Sequence, residues 1–170
     1  GGRRELPSFP TRRCSDLAGF WNTTEVATDI RATVQTMVAA LRHRGPDAEG
    51  QWADLQSGLA FGHRRLAILD LSARGAQPME SASGRTVITY NGEVYNHREL
   101  RRDLGVHAFR GTSDTETLVE AIERWGADAT LARVNGMLAL TVWANTERVS
   151  PLARTCLRIV TTYSFPPAPR

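Results

Sequence analysis

Apolar positions along the chain follow two different periods, and segments of the two kinds alternate. Short continuous apolar runs at residues 17–21 and 136–143 predict buried strands. Over residues 25–41 the apolar side chains recur at spacings of three and four, which places them on one face of a helix. Thr23 or Thr24 is in position to cap that helix. The pattern predicts a domain that mixes helices and strands.

Turn and capping residues divide the rest of the chain. Asn91-Gly92 between two apolar runs predicts a β-hairpin with a tight turn. Asn96 is expected to cap a short helix over 97–104, and Ser113 with Glu116 forms a capping box that begins another helix. The remaining predicted strands lie at residues 51–53, 58–62 and 66–70. No linker is long enough to separate two domains, so one domain is expected.

The 170-residue chain has a formal net charge of +3, but that charge belongs to its ends. Residues 1–17 and 149–170 are basic, whereas residues 18–148 contain fewer arginines than acidic residues. A nucleic-acid partner is therefore not predicted. No apolar run approaches the roughly 20 residues of a membrane span, and no stretch has the apolar core of a signal peptide. Cys14 and Cys156 both lie in the end segments and cannot form a disulfide scaffold.

Three stretches carry residue types suited to binding a zwitterion and an oxyanion. Residues 62–70 place arginines at a strand end, where a guanidinium offers a planar fork to a carboxylate. In residues 90–100 an Asn amide and a Gly N–H lie side by side, an arrangement that can hold a developing oxyanion. Residues 111–116 include an aspartate that could hold an ammonium group. Taken singly, each stretch also has a purely structural interpretation. The first is a half-buried strand with solvated arginines, the second a hairpin turn followed by a capped helix, and the third a helix N-cap.

Together, and in this order, the three stretches resemble the glutaminase domain of glutamine-hydrolysing asparagine synthetases, a class II glutamine amidotransferase. Residues 18–21, 41–47, 77–79 and 134–137 match that family as well. The resemblance implies an α+β N-terminal-nucleophile hydrolase fold. In that fold two mostly antiparallel sheets are sandwiched between helices in four layers, αββα. The amidotransferase domain is expected to span residues 18–154.

The resemblance also implies roles for individual residues in binding glutamine. Arg65 is expected to pair with the α-carboxylate, and Leu66 and Ile68 to shape the pocket beside it. Glu93 is expected to hold the amide or amino group, and Asp114 to bind the α-ammonium. A zwitterionic substrate needs one fixed cation and fixed anions at opposite corners of its site, and this set of charges meets that need.

Catalysis in the family uses an oxyanion hole, here Asn91 and Gly92, and a cysteine at the very N-terminus whose free amine serves as its base. Aligned on residues 18–20, the cysteine position falls on Ser15, and Cys14 is one residue early.

Residues 1–17 resemble a translated sequencing adapter, so they are expected to be a non-native leader. The alternative is a propeptide cleaved before Cys14. The chain as written is expected to be inactive, and residues 155–170 to be a frameshifted or disordered tail.

The function that the resemblance implies is release of ammonia from L-glutamine for ATP-dependent amidation of aspartate. That second step needs a C-terminal synthetase domain with ATP and Mg²⁺. The resemblance also implies a cytoplasmic enzyme that forms a homodimer in its full-length form. No cofactor or metal is predicted within this chain, because its four histidines lack zinc-ligand spacing. Two alternatives stay open: a catalytically dead binding module, and an amidotransferase with another acceptor.

Overall fold

The structure is a computed structural model. It describes residues 16–21, 29–65, 75–105, 109–144, 150–156 and 159–165. The side chains are described up to residue 144. In chain order the elements are β1 (Asp16–Trp21), α1 (Ile30–Ala40), β2 (Ala48–Asp54), β3 (Leu59–Arg65), β4 (Met79–Glu80), β5 (Thr86–Val94), α2 (His97–Leu104), α3 (Asp114–Trp125), α4 (Ala127–Leu131), β6 (Gly136–Ala144), β7 (Ser150–Cys156) and β8 (Ile159–Phe165).

The strands form two sheets in which every pair is antiparallel. The three-stranded sheet has the order β1-β3-β2, and the five-stranded sheet has the order β4-β5-β6-β7-β8. Because side chains alternate between the two faces of a strand, each sheet has an outer and an inner face. On the outer face of the three-stranded sheet, Val34 and Val38 of α1 pack with Ala18 and Ala60.

Helices α2, α3 and α4 cover the outer face of the five-stranded sheet. Their buried side chains, which include Leu100, Leu118 and Leu131, pack with Ile88 and Leu140 of that sheet. A third cluster joins the inner faces of the two sheets. The order of layers is therefore helix, sheet, sheet, helices, and the predicted αββα arrangement is confirmed.

Helix α1 starts later than its apolar pattern predicts, at Ile30 instead of residue 25. Asp29 is the N-cap, and its Oδ1 accepts hydrogen bonds of 3.1 Å from the N–H groups of Arg31 and Ala32. A carboxylate that satisfies two free N–H groups at the first turn is sufficient to fix where a helix begins. Thr23 and Thr24, the caps expected from the sequence, lie outside the described residues.

The predicted hairpin at Asn91-Gly92 is wrong, because β5 runs unbroken through both residues. β5 pairs with β6 along its whole length, with Gly92 opposite Leu138. Gly92 has a φ of 154°, and a Cβ built on it would lie 2.1 Å from the carbonyl oxygen of Met137. The glycine is therefore needed for close approach of two strands and not for a turn.

Two further expectations change. Helix α2 has the predicted bounds, but Asn96 does not cap it with its side chain. Instead the Asn96 amide donates to the Arg133 carbonyl and accepts from the Asn135 N–H, both at 2.9 Å, which joins α2 to the start of β6.

The sequence predicts β6 as the last strand of its sheet. In the structure β7 and β8 extend the sheet beyond β6. Strand pairing does not show whether residues 155–170 are native, so that expectation stays a prediction.

Candidate active site

The layer between the two sheets is apolar at one end. Its buried side chains there are Leu59, Phe61, Val87 and Trp143, and the ring of Trp52 stacks on Phe61 with centroids 5.6 Å apart. We call this region the apolar end. It holds the two sheets together and contains no candidate for catalysis.

Further along β3 and β5 the same inner faces become polar. Period-two alternation places on these faces the residues His63, Arg65, Thr89, Asn91 and Glu93, which together we call the polar end. His63 and Thr89 are 2% and 1% exposed. Neither His63 Nε2 nor Thr89 Oγ1 has a hydrogen-bond partner among the described residues. Buried polar atoms are normally hydrogen-bonded, so this end has capacity to bind a polar ligand.

Strand β1 also begins at the polar end. Asp16, its first residue, is paired in register with Arg64, and Leu17 with His63. The Asp16 carboxylate accepts from Arg44 Nε at 2.9 Å. Ser15 and Cys14, the two residues considered for the nucleophile position, lie outside the described residues. The strand that follows them nevertheless starts beside the other candidate residues.

His63 is hydrogen-bonded to the backbone of β5 and lies within the electrostatic influence of Arg65. Burial, together with the positive charge of Arg65, lowers the pKa of the His63 imidazole to about 4, although a hydrogen bond with the Tyr90 backbone opposes the shift. The imidazole is therefore neutral at neutral pH. At the polar end Arg65 is therefore a fixed positive charge, whereas His63 contributes a neutral polar ring and not a second cation.

A loop ties the two sheets together at the same place. Gly75 lies against Arg65, since a Cβ built on it would be 3.1 Å from a guanidinium nitrogen. Two residues on, Gln77 Oε1 accepts the Tyr90 N–H at 2.5 Å. The Gln77 carbonyl also packs directly on Gly50 of β2, where a Cβ would lie 1.9 Å from the oxygen. The loop therefore holds Arg65 and β5 in one arrangement.

Among the described residues, one N–H group on the β4 side of β5 has no acceptor. β4 pairs only with residues 87 and 88, so none of the described strands lies beside the rest of that edge. The N–H of Tyr90 donates to Gln77 Oε1, and that of Val94 donates to Asp114 Oδ2 at 3.1 Å. By alternation the Gly92 N–H lies on the same side, between these two. No side chain of the described residues accepts a hydrogen bond from the Gly92 N–H, whereas the N–H groups of Tyr90 and Val94 both have side-chain acceptors.

Asp114 lies at the edge of this site, at the first turn of α3. Its Oδ2 accepts from the Tyr90 hydroxyl at 2.8 Å as well as from the Val94 N–H, and its Oδ1 accepts from the Thr115 N–H at 2.9 Å. Burial and the Asp114 charge raise the pKa of the Tyr90 phenol well above its ordinary value, so the hydroxyl stays a donor. Oδ1 keeps capacity for one further hydrogen bond.

The structure thus brings together most of the predicted site residues. Arg65, Asn91 and Glu93 share the polar end, Gly92 lies on the adjoining strand edge, and Asp114 reaches that edge from α3. Leu66 and Ile68 lie outside the described residues. Their predicted roles, like those of the others, stay predictions.

Sequence reasoning missed Gln77 and Tyr90, which position parts of the site without being candidates themselves. Gln77 stands in a stretch that matches the family, but no local pattern shows that its side chain reaches the Tyr90 N–H. Within the described residues, no three His, Cys, Asp or Glu side chains are grouped as a metal site requires. No helix in the described part of the chain is long and apolar enough to cross a membrane.

Comparison with known proteins identifies the family. The family model described as a glutamine amidotransferase domain matches residues 14–160, most of the chain. The chain belongs to the glutamine amidotransferase domain family. The match confirms the family assignment made from the motifs, and it includes Cys14 and all five candidate residues that the structure describes.

Curated relatives of this amidotransferase domain include several asparagine synthetases. Asparagine synthetase [glutamine-hydrolyzing] 1 of Arabidopsis thaliana is 35% identical over 133 residues, covering 78% of this chain and 22% of that protein. Asparagine synthetase [glutamine-hydrolyzing] 3 of Bacillus subtilis is 39% identical over 117 residues, covering 66% of this chain and 18% of that protein. A probable asparagine synthetase of Dictyostelium discoideum is 35% identical, covering 88% and 27%. The chain thus spans about a fifth to a quarter of these relatives.

A solved structure supports the fold of the amidotransferase domain. Glutamine phosphoribosylpyrophosphate amidotransferase from B. subtilis, in complex with ADP and GMP, superposes with a TM-score of 0.63. The two chains are 20% identical, and the superposition covers 89% of this chain and 41% of that one. At this level of identity the likeness concerns the fold. It confirms the N-terminal-nucleophile hydrolase architecture predicted from the sequence.

Proposed function

We propose that this domain is the glutaminase domain of a glutamine-hydrolysing asparagine synthetase. It would release ammonia from L-glutamine for amidation of aspartate in a synthetase domain. The observation that carries the proposal is the Gly92 N–H, next to Asn91 on the edge of β5, which no side chain in the described part of the chain accepts, whereas the N–H groups of Tyr90 and Val94 both have side-chain acceptors. The identity of 35–39% to asparagine synthetases supports the choice of acceptor.

The charges of the site suit glutamine. Arg65 is a permanent cation for the α-carboxylate, and the bidentate geometry of a guanidinium gives that contact direction as well as strength. Asp114 offers the remaining acceptor position of Oδ1 to the α-ammonium. Glu93 is exposed at the mouth of the polar end, opposite Met137, where it can receive the amide or amino group.

The reaction proposed is nucleophilic. A cysteine thiolate preceding β1 attacks the side-chain amide carbon, and its carbonyl oxygen becomes an oxyanion. The Asn91 amide and the Gly92 N–H donate to that oxyanion, which lowers the barrier because they stabilise charge that develops only in the transition state. The C–N bond then breaks, and the nitrogen takes up the proton that the N-terminal amine received from the thiol and leaves as ammonia, so that a γ-glutamyl thioester remains. Water hydrolyses the thioester, which releases glutamate and restores the thiol.

The proposal extends to the whole enzyme. Ammonia would pass to a C-terminal synthetase domain that uses ATP and magnesium, and no residue of this chain is assigned to either. The enzyme would work in the cytoplasm, and its full-length form is proposed as a homodimer. The homodimer can be tested by fusing this domain to the synthetase domain of a relative and measuring the molecular mass of the fusion protein in solution.

The decisive experiment restores the nucleophile. Residues 1–17 are replaced by Met-Cys-Gly-Ile, which puts cysteine in the family position, and glutamate release from glutamine is measured. We call this the cysteine-restored protein. It is expected to hydrolyse glutamine, and Arg65→Ala is expected to raise its KM about tenfold or more because a charge-assisted contact is lost.

Arg42→Ala is the matched control, since Arg42 is an exposed arginine outside the site. Its kinetics should equal those of the cysteine-restored protein. No glutaminase activity, or activity that responds equally to both arginine substitutions, would refute the proposal. An inactive protein that still binds glutamine would point instead to the binding-module alternative.

A further inference from the structure

Glu116 is a buried carboxylate that the proposed reaction does not use. It lies in the first turn of α3 and is 3% exposed. Its Oε1 accepts from the Arg110 N–H at 2.6 Å, and its Oε2 accepts from the Gly111 N–H at 2.9 Å. The side chains of Arg110 and Arg101 complete the set at 3.4 and 3.3 Å. Every acceptor position of this carboxylate is therefore occupied.

Arg101 of α2 holds the carbonyl side of the same turn. Its NH1 donates to the Gly111 carbonyl at 2.8 Å and its NH2 to the Ser113 carbonyl at 3.1 Å. Its Nε donates to Thr117 Oγ1 at 2.8 Å, and its guanidinium lies 3.9 Å from the centre of the Phe109 ring. The turn is thus fixed through its N–H groups by Glu116 and through its carbonyl groups by Arg101.

The network of Glu116 with the two arginines contains more charged groups than a helix cap requires. Ser113 already caps α3, because its Oγ accepts the Glu116 N–H at 3.3 Å. Burying a carboxylate between two guanidinium groups is costly, and such a network contributes little net stability compared with apolar residues. It does impose a single geometry on the turn. The residue that follows the turn is Asp114, whose Oδ2 holds the Val94 N–H and the Tyr90 hydroxyl.

We propose that Glu116, together with Arg101, is a positioning residue that fixes the Asp114 carboxylate for the α-ammonium group of the substrate. The inference rests on the proposed glutaminase function, which supplies the ligand. Glu116 touches no ligand itself. It acts through the turn of residues 110–113, which determines where α3 begins and hence where Asp114 meets the edge of β5.

The test uses the chain as it stands and two ligands measured by calorimetry. L-glutamine carries the α-ammonium, whereas 4-carbamoylbutanoate has the same amide and carboxylate without it. Glu116→Gln replaces one carboxylate oxygen by an amide NH₂. The acceptor positions of that oxygen are lost, and a donor then faces the N–H groups of the turn or the guanidinium groups. We expect it to weaken L-glutamine binding about tenfold and to leave 4-carbamoylbutanoate binding unchanged, because only the first ligand uses Asp114.

Glu123→Gln is the matched control. Glu123 is on the same helix and is paired with Arg85 at 2.7 Å, but it holds residues 83–85 and not the Asp114 turn. Its substitution should change neither Kd. Equal weakening of both ligands by Glu116→Gln, or no weakening of either, would overturn the positioning role. If that variant does not fold, Arg101→Lys replaces it, since lysine keeps the charge but loses the fork.

A second measurement needs no ligand. Amide hydrogen exchange at Val94 reports the Asp114 contact directly, because Asp114 Oδ2 is the acceptor of that N–H. Exchange at Val94 should be about tenfold faster in Glu116→Gln than in Glu123→Gln. Unchanged exchange there would overturn the inference. Absence of glutamine binding by the unsubstituted chain would instead count against the proposed function, and the Val94 result would still decide the positioning role.

Discussion

The two ends of the layer between the sheets are built on the same strands and serve opposite purposes. At the apolar end, Phe61 and Trp143 are almost fully buried among other hydrophobic side chains. Only a few residues further along, His63 and Thr89 are equally buried but keep polar atoms without partners in the described part of the chain. Burial of apolar area stabilises the fold, whereas buried polar atoms cost stability unless they bind something. One pair of sheets can therefore separate stability from ligand binding.

The largest effect is expected at the apolar end. Phe61→Ala should destabilise the domain by about 3–5 kcal/mol, because a fully buried ring is lost and a cavity remains. Urea unfolding of the substituted and unsubstituted chains measures the difference. Phe20→Ala, at a partly buried position on the outer side of the same sheet, should cost clearly less. Equal costs would contradict the special role of the apolar end.

At the polar end the effect should fall on the reaction instead. Asn91→Ala in the cysteine-restored protein is expected to lower kcat about 100- to 1000-fold, because one donor to the oxyanion is removed. The free energy of unfolding should change by less than about 1 kcal/mol, since this side chain is only partly buried. Steady-state kinetics and urea unfolding of the same preparation test both statements. A large loss of stability with unaltered kcat would reverse the assignment of the two ends.

The smallest effect concerns pH. Burial lowers the pKa of His63 to about 4, while in the unfolded chain it is near 6.5. As the pH falls below 6.5 the unfolded chain binds the proton first, so stability present at neutral pH is lost progressively until about pH 4. Between pH 7 and pH 5 the loss should be about 2 kcal/mol.

Carboxylate groups titrate in part of the same range, so the comparison is made with His63→Asn. The unsubstituted chain should lose about 2 kcal/mol more than this variant between pH 7 and pH 5. Identical slopes would show that His63 is not buried as neutral imidazole and that the polar end is more open to water than described.

Local sequence patterns predicted some elements well. The bounds of α2 match the prediction, and the start of α3 follows from its capping residue Ser113, which acts within a few residues. The pattern failed at Asn91-Gly92, where a local turn signal lost to pairing with β6. It also failed for Asn96, whose amide serves a contact 37 residues away with Arg133. Both errors come from partners that are distant in sequence.

The sequence by itself determined the family, the layer order through that resemblance, and which residue types meet a zwitterionic substrate. Only the tertiary structure decided that Gly92 keeps its N–H available while Gln77 and Asp114 cap the neighbouring groups. The physical reason is that motifs record which residues are present, whereas an available hydrogen-bond donor depends on which of its neighbours are already satisfied. That can be known only when strands, loop and helix have been brought together.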